Sequence, residues 1–204
     1  MDFLLPIHIV VGIFALLGAA LSVLSEKGKK LHVLSGKTYF WSMVVIFSTA
    51  IPMSIISRNI FLSLIAIFSF YLAFAGMRFA RNRKGVAAPF DWIAVCLMIS
   101  SGVGIWILAA IYFLNSNAQY IVLLVFGFLA IVLGYADIRS YENESASGKE
   151  RISQHLTNMM GGTIAVLTAV LVVNPPFEPE WVWWVFPTML ITPVIFWWNF
   201  KILK

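Results

Sequence analysis

The chain has 204 residues, 61% of them hydrophobic and 11% charged, with a net charge of +5. A soluble globular domain carries about 25% charged residues, so an ordinary water-soluble core is excluded. A single cysteine excludes an intrachain disulfide, and basic residues scattered without a binding motif exclude nucleic acid as a partner.

Six stretches lack any charged residue and are long enough for a hydrocarbon core of about 30 Å, which takes about 20 helical residues. The stretch 92–136 is long enough to cross twice, and the polar run Asn115-Ser116-Asn117-Ala118 marks a turn at its middle. The sequence therefore predicts an all-α integral membrane protein, a bundle of seven transmembrane helices forming one domain over residues 1–204. The predicted spans are 3–25, 38–57, 59–77, 92–114, 119–136, 155–174 and 181–200.

The first span follows Asp2 rather than a positive segment and runs for 23 apolar residues, which predicts a retained helix rather than a cleaved signal peptide. Gly12, Ala15, Ala19 and Ser22 share one face with His8, and small residues of this kind let helices approach closely in lipid. A basic loop with Lys27, Lys29, Lys30, His32 and Lys37 precedes the second span. The second and third spans are joined by Ser57-Arg58-Asn59. The next loop carries Arg78, Arg81, Arg83, Lys84 and Asp91. The fourth span holds Cys96, expected as an inert packing residue, and Ser100-Ser101-Gly102 with Gly104, expected to pack closely or line a polar cavity.

The fifth span ends at Asp137. The loop 138–154, containing Asn143-Glu144-Ser145-Ala146-Ser147-Gly148, is expected to be long and mobile and available to a cytoplasmic protein partner. His155 opens the sixth span, where Gly161, Ala165 and Ala169 form a second small-residue stripe. Pro175, Pro176 and Pro179 stiffen the return to the seventh span, which Pro187 and Pro193 are expected to kink. Trp181, Trp183 and Trp184 mark one membrane interface, and Trp197 with Trp198 the other.

Thirteen of the fourteen basic residues fall in the odd-numbered loops and the C-terminal tail. That side carries +7 against −2 on the other. Lys and Arg stay in the cytoplasm, which predicts the N-terminus outside and the C-terminus inside. The same charge predicts attraction to anionic membrane lipids.

Chemistry points to the inner face. His8 is about 25 Å from the inner end of its helix and cannot join a three-histidine site. His32 and His155 are expected at similar depth near helix N-termini, where the dipole favours the neutral imidazole that ligates metals. Asp137, at the unfavourable C-terminal end of a helix dipole, should seek Arg78, Arg139, Arg151, a histidine or a metal ion. Asp91 lies at the same level, as a ligand or as the N-cap of the fourth helix. His32, His155, Asp137 and Asp91 thus form a candidate metal set, with His32 and His155 the candidate axial pair for b-type haem and Asp137 the third ligand for Zn²⁺.

At these residues a resemblance enters. His32-Val-Leu-Ser-Gly36-Lys37-Thr38-Tyr39, Asp137-x-Arg139, and Arg151-x-x-Gln154-His155-x-x-Asn158-Met159-x-Gly161 followed by Ala165-x-x-Thr168-Ala169 resemble a bacterial multi-pass membrane family known only as a domain of unknown function. The resemblance implies seven helices in a bacterial plasma membrane and implies no reaction. Three functions remain open: a metal- or haem-binding membrane protein, a non-catalytic accessory or sensor subunit, and a small-solute transporter. Transporters place ionisable groups near the midplane, whereas the midplane here is expected to hold only Ser, Thr and Asn.

Overall fold

The computed structural model describes residues 2–144 and 146–204. Among these, seven α-helices follow one another with no strand: α1 (Leu4–Leu24), α2 (Lys30–Ile56), α3 (Ile60–Arg81), α4 (Pro89–Leu114), α5 (Tyr120–Glu142), α6 (Gly148–Val173) and α7 (Trp181–Leu203). All seven are long and apolar enough to cross a membrane. In hydrocarbon each segment must satisfy its own backbone N–H and C=O groups, and the helix does so without a partner strand. The large outward-facing side chains, such as Phe196 and Met189 at 71% and 74% exposure, are then a lipid-facing surface rather than a defect.

The helix ends differ from the expected spans in a consistent way. α2 begins at Lys30, α5 runs on to Glu142 and α6 begins at Gly148. Charged residues stop a charge-free stretch but do not stop a helix, because Lys, Arg and Glu are good helix formers whose heads reach water. The expected mobile loop 138–154 is therefore mostly helix. Only residues 143–147 connect α5 to α6, and Ala146 there is buried. Ser145 lies outside the described residues. His32 sits in the first turn of α2 rather than before it. His155 lies two turns into α6, and Asp137 lies five residues inside α5.

The chain divides into two compact units, one up to Ala66 and one from Ile67 to Lys204. In the first, α1 packs along α2 through Ala15, Gly18 and Ala19. A Cβ on Gly18 would lie 2.9 Å from the Tyr39 backbone nitrogen, so this position, not Gly12, is where the helices touch. Polar rungs add to the contact: Ser22 Oγ pairs with Ser35 Oγ at 2.8 Å, and His8 Nδ1 meets Thr49 Oγ1 at 2.8 Å. The Thr49 hydroxyl hydrogen goes to the Val45 or Ile46 carbonyl, so His8 is the donor. Such interhelical bonds in lipid contribute about 0.6 kcal/mol each, up to about 1.7.

In the second unit α4 pairs with α5 and α6 with α7. Gly102 and Gly127 face each other so closely that a Cβ on Gly127 would come within 3.0 Å of the Gly102 carbonyl oxygen. Ser101 is buried and donates to the Met98 carbonyl, so this small-residue segment serves close packing. Cys96 is exposed on the outer face of α4, which corrects its expected packing role. On α6, Ala169 also faces outward, and the packed positions include Gly162 and Thr168 instead. Pro187 and Pro193 lie within continuous α7, where Asn199 bonds to Ser153 and Thr157 of α6.

Candidate functional site: a buried carboxyl among α3, α5 and α6

Asp137 is 1% exposed. Tyr71 on α3 donates its hydroxyl to Asp137 Oδ2 at 2.6 Å. The Asn158 side chain on α6 lies close enough to interact with the same carboxyl. Tyr71 is at the middle of α3, about 15 Å from either end at 1.5 Å per residue. The carboxyl thus meets groups from the middle of the helices, deeper than a reading from the end of the fifth span places it. The helix dipole acts within the last turn, so it does not decide the state of Asp137.

α3 and α6 approach closely because Gly76 has no side chain. A Cβ there would come 3.1 Å from the Met159 backbone nitrogen. This approach lets His155 reach the Gly76 carbonyl at 2.8 Å. A carbonyl only accepts, so His155 donates from Nδ1. His32 likewise donates from Nδ1 to the Ser22 carbonyl at 3.0 Å, within the first unit.

The cations expected near Asp137 are all engaged elsewhere. Arg78 grips Asp91 with two bonds, Nε to Oδ1 at 2.7 Å and Nη2 to Oδ2 at 2.8 Å, and lies over the Phe90 ring. Arg139 pairs with Glu142 at the surface. Arg151 donates to the Phe79 and Ala80 carbonyls, which end α3 and lack helical partners. Among the described residues Asp137 therefore has a neutral hydrogen-bond donor, Tyr71, and no ion pair. Asp91 differs in kind. Its charge is matched by Arg78, and its Oδ2 also accepts from the Ala88 N–H at 2.8 Å, so it caps α4 from the third helical position rather than as the N-cap residue.

Around the carboxyl the remaining polar groups close on one another. Gln154 donates to Ser140, and Asn158 Nδ2 donates to the Gln154 carbonyl. Tyr141 stacks on Phe79 and meets the Trp92 edge. One atom is left over: Asn158 Oδ1 is buried and has no hydrogen-bond partner among the described residues. An unmatched buried acceptor costs about 1–3 kcal/mol, so its place beside a carboxyl calls for a donor or a cation.

Of the four candidate ligands, Asp91, Asp137 and His155 belong to the second unit and His32 to the first. Among the described residues no three His, Cys, Asp or Glu side chains converge to hold a metal ion. Tyr71 and Ser140 were not singled out for chemistry by the sequence; Gln154 and Asn158 appeared only within the resemblance. A tyrosine hydroxyl amid Phe68, Phe70 and Phe74 was the available signal for Tyr71.

Seven helices of membrane-spanning length, with a carboxyl buried in the second unit, define a multi-pass membrane protein with a buried acidic site. No family model, curated protein or solved structure matches this chain.

Proposed function

We propose that the chain is a proton-coupled small-solute carrier of a bacterial plasma membrane, with Asp137 as its proton-binding carboxyl. The observation that carries this is Asp137 itself: a carboxyl 1% exposed, between membrane helices, with no ion pair among the described residues. An isolated buried carboxylate is costly and is relieved by binding a proton or a cation. The neighbours suit both states. The ionised form accepts from Tyr71 with the Asn158 amide beside it; the protonated form would donate to Asn158 Oδ1 after a half-turn of the amide. The basic odd-numbered loops support an N-terminus outside and a C-terminus in the cytoplasm, and the resemblance on the His32 and His155 segments supports the bacterial membrane.

Proteoliposomes carrying an imposed pH gradient test this against a panel of amino acids, sugars and organic anions. Gradient-driven uptake of one class, abolished in Asp137→Asn and kept in Asp91→Asn, is expected. No uptake across the panel, or uptake indifferent to Asp137, contradicts the carrier reading.

A second reading rests on the histidine orientation. An imidazole whose Nδ1–H is held by a carbonyl is the arrangement found behind metal-ligating nitrogens, and His155 has it. Asp137 and Asn158 Oδ1 would add oxygen donors. Elemental analysis and an absorption spectrum of purified protein decide it: stoichiometric metal or a haem band lost in His155→Ala supports this reading, and metal-free, colourless protein removes it.

A further inference from the structure

We propose that the α1–α2 face of the first unit binds one anionic phospholipid, its phosphate on Lys30 and Lys37 and an acyl chain in the groove below. Two hollows lie end to end on this face. One, of about 310 Å³, is lined by Gly28, Lys30, Leu34 and Lys37 at the start of α2. The other, of about 490 Å³, runs on along the helices past Phe14, Trp41 and Val45, and shares Leu34 and Lys37 with the first. The shared residues place the two hollows next to each other, from the turn at Gly28 into the apolar part of the helices.

The chemistry changes from one hollow to the next. Lys30 and Lys37 are two helical turns apart on one face of α2, about 10 Å along the axis, and the long lysine stem lets the deeper ammonium reach back toward the helix end. No acid lines either hollow. The nearest acidic neighbour in the turn, Glu26, is 3.6 Å from Lys29. Between the lysines lies Leu34, and beyond Lys37 the groove presents Trp41 and Phe14; the three are 64%, 63% and 52% exposed. Two cations with no ion pair among the described residues, above an open apolar groove, complement a ligand that is anionic at one end and aliphatic at the other. A second copy of the chain docked by twofold symmetry would bring its own Lys30 and Lys37 against these, which the charge opposes.

The test is native mass spectrometry of the purified full chain in detergent, titrated with dioleoylphosphatidylglycerol or dioleoylphosphatidylcholine. The wild type is expected to bind one phosphatidylglycerol in preference to phosphatidylcholine. Lys30→Gln with Lys37→Gln should weaken it about thirtyfold, from about fivefold per interfacial lysine. Lys201→Gln with Lys204→Gln removes the same charge elsewhere and should leave binding intact. Lys30→Arg with Lys37→Arg should retain it, which separates loss of the site from loss of the fold. Trp41→Ala should weaken both lipids. Equal binding of the two lipids, equal loss in the two double Gln variants, displacement of the lipid by inorganic phosphate, or a dimer in place of lipid adducts would each overturn the proposal.

Discussion

Removing Arg78 from its pair with Asp91 should be far more damaging than neutralising Asp137, because the two acids are balanced differently. Asp91 is 1% exposed and takes both Arg78 bonds, at 2.7 and 2.8 Å. Arg78→Met strands that carboxylate in the interior with only the Ala88 N–H, and stranding one member of a buried pair costs about 3–5 kcal/mol. Asp91→Asn strands Arg78 instead. The arginine side chain is 21% exposed and can turn outward, and Asn keeps an oxygen for the Ala88 N–H. The expected loss is about 1–2 kcal/mol, that of charge-assisted bonds reduced to neutral ones. Asp137→Asn strands no cation and keeps an acceptor for Tyr71, so it should change stability by less than about 1 kcal/mol. Unfolding in mixed micelles with rising dodecyl sulfate, followed by circular dichroism, gives all three values. The expected order of loss is Arg78→Met, then Asp91→Asn, then Asp137→Asn. If Asp137→Asn is as damaging as Arg78→Met, Asp137 has a cationic partner and the reasoning fails.

Three smaller predictions use the same measurement. Tyr71→Phe should cost about 1–2 kcal/mol, and in a double-mutant cycle with Asp137→Ala most of that loss should disappear; additive losses would show that the 2.6 Å bond contributes nothing. Gly76→Leu should destabilise by about 1–3 kcal/mol, since its side chain meets the Met159 backbone and not only a movable side chain. Cys96→Ala, on an outward face, should stay within about 0.5 kcal/mol of wild type, and a larger loss would place the thiol in a packed contact.

The seven helices were legible because charge is so costly in hydrocarbon that uncharged runs nearly define the spans. Their ends were not, because the helix at Lys30 continues into the headgroup layer where lysine heads find water. That error moved His155 and Asp137 to helix ends and invited dipole arguments that act only within a terminal turn. His32 lies inside the first turn of α2 rather than in the loop before it, and so remains near a helix N-terminus. Asp137 was recognised as an acid needing a partner, and Arg78, Arg139 and Arg151 were the natural choices. Which helix faces which is set by long-range packing, and only that packing gives Arg78 to Asp91, Arg151 to the end of α3, and Tyr71 to Asp137. Gly76 illustrates the limit: its sequence context offers nothing to mark it, yet it is the point where α6 comes close enough for His155 to reach α3.

The central claim is that Asp137 takes up and releases a proton inside the membrane domain. Infrared difference spectroscopy of the purified protein across a pH jump measures this directly through the carbonyl band of a protonated carboxylic acid. The account predicts a band that disappears in Asp137→Asn and persists in Asp91→Asn. A spectrum unchanged by Asp137→Asn contradicts it.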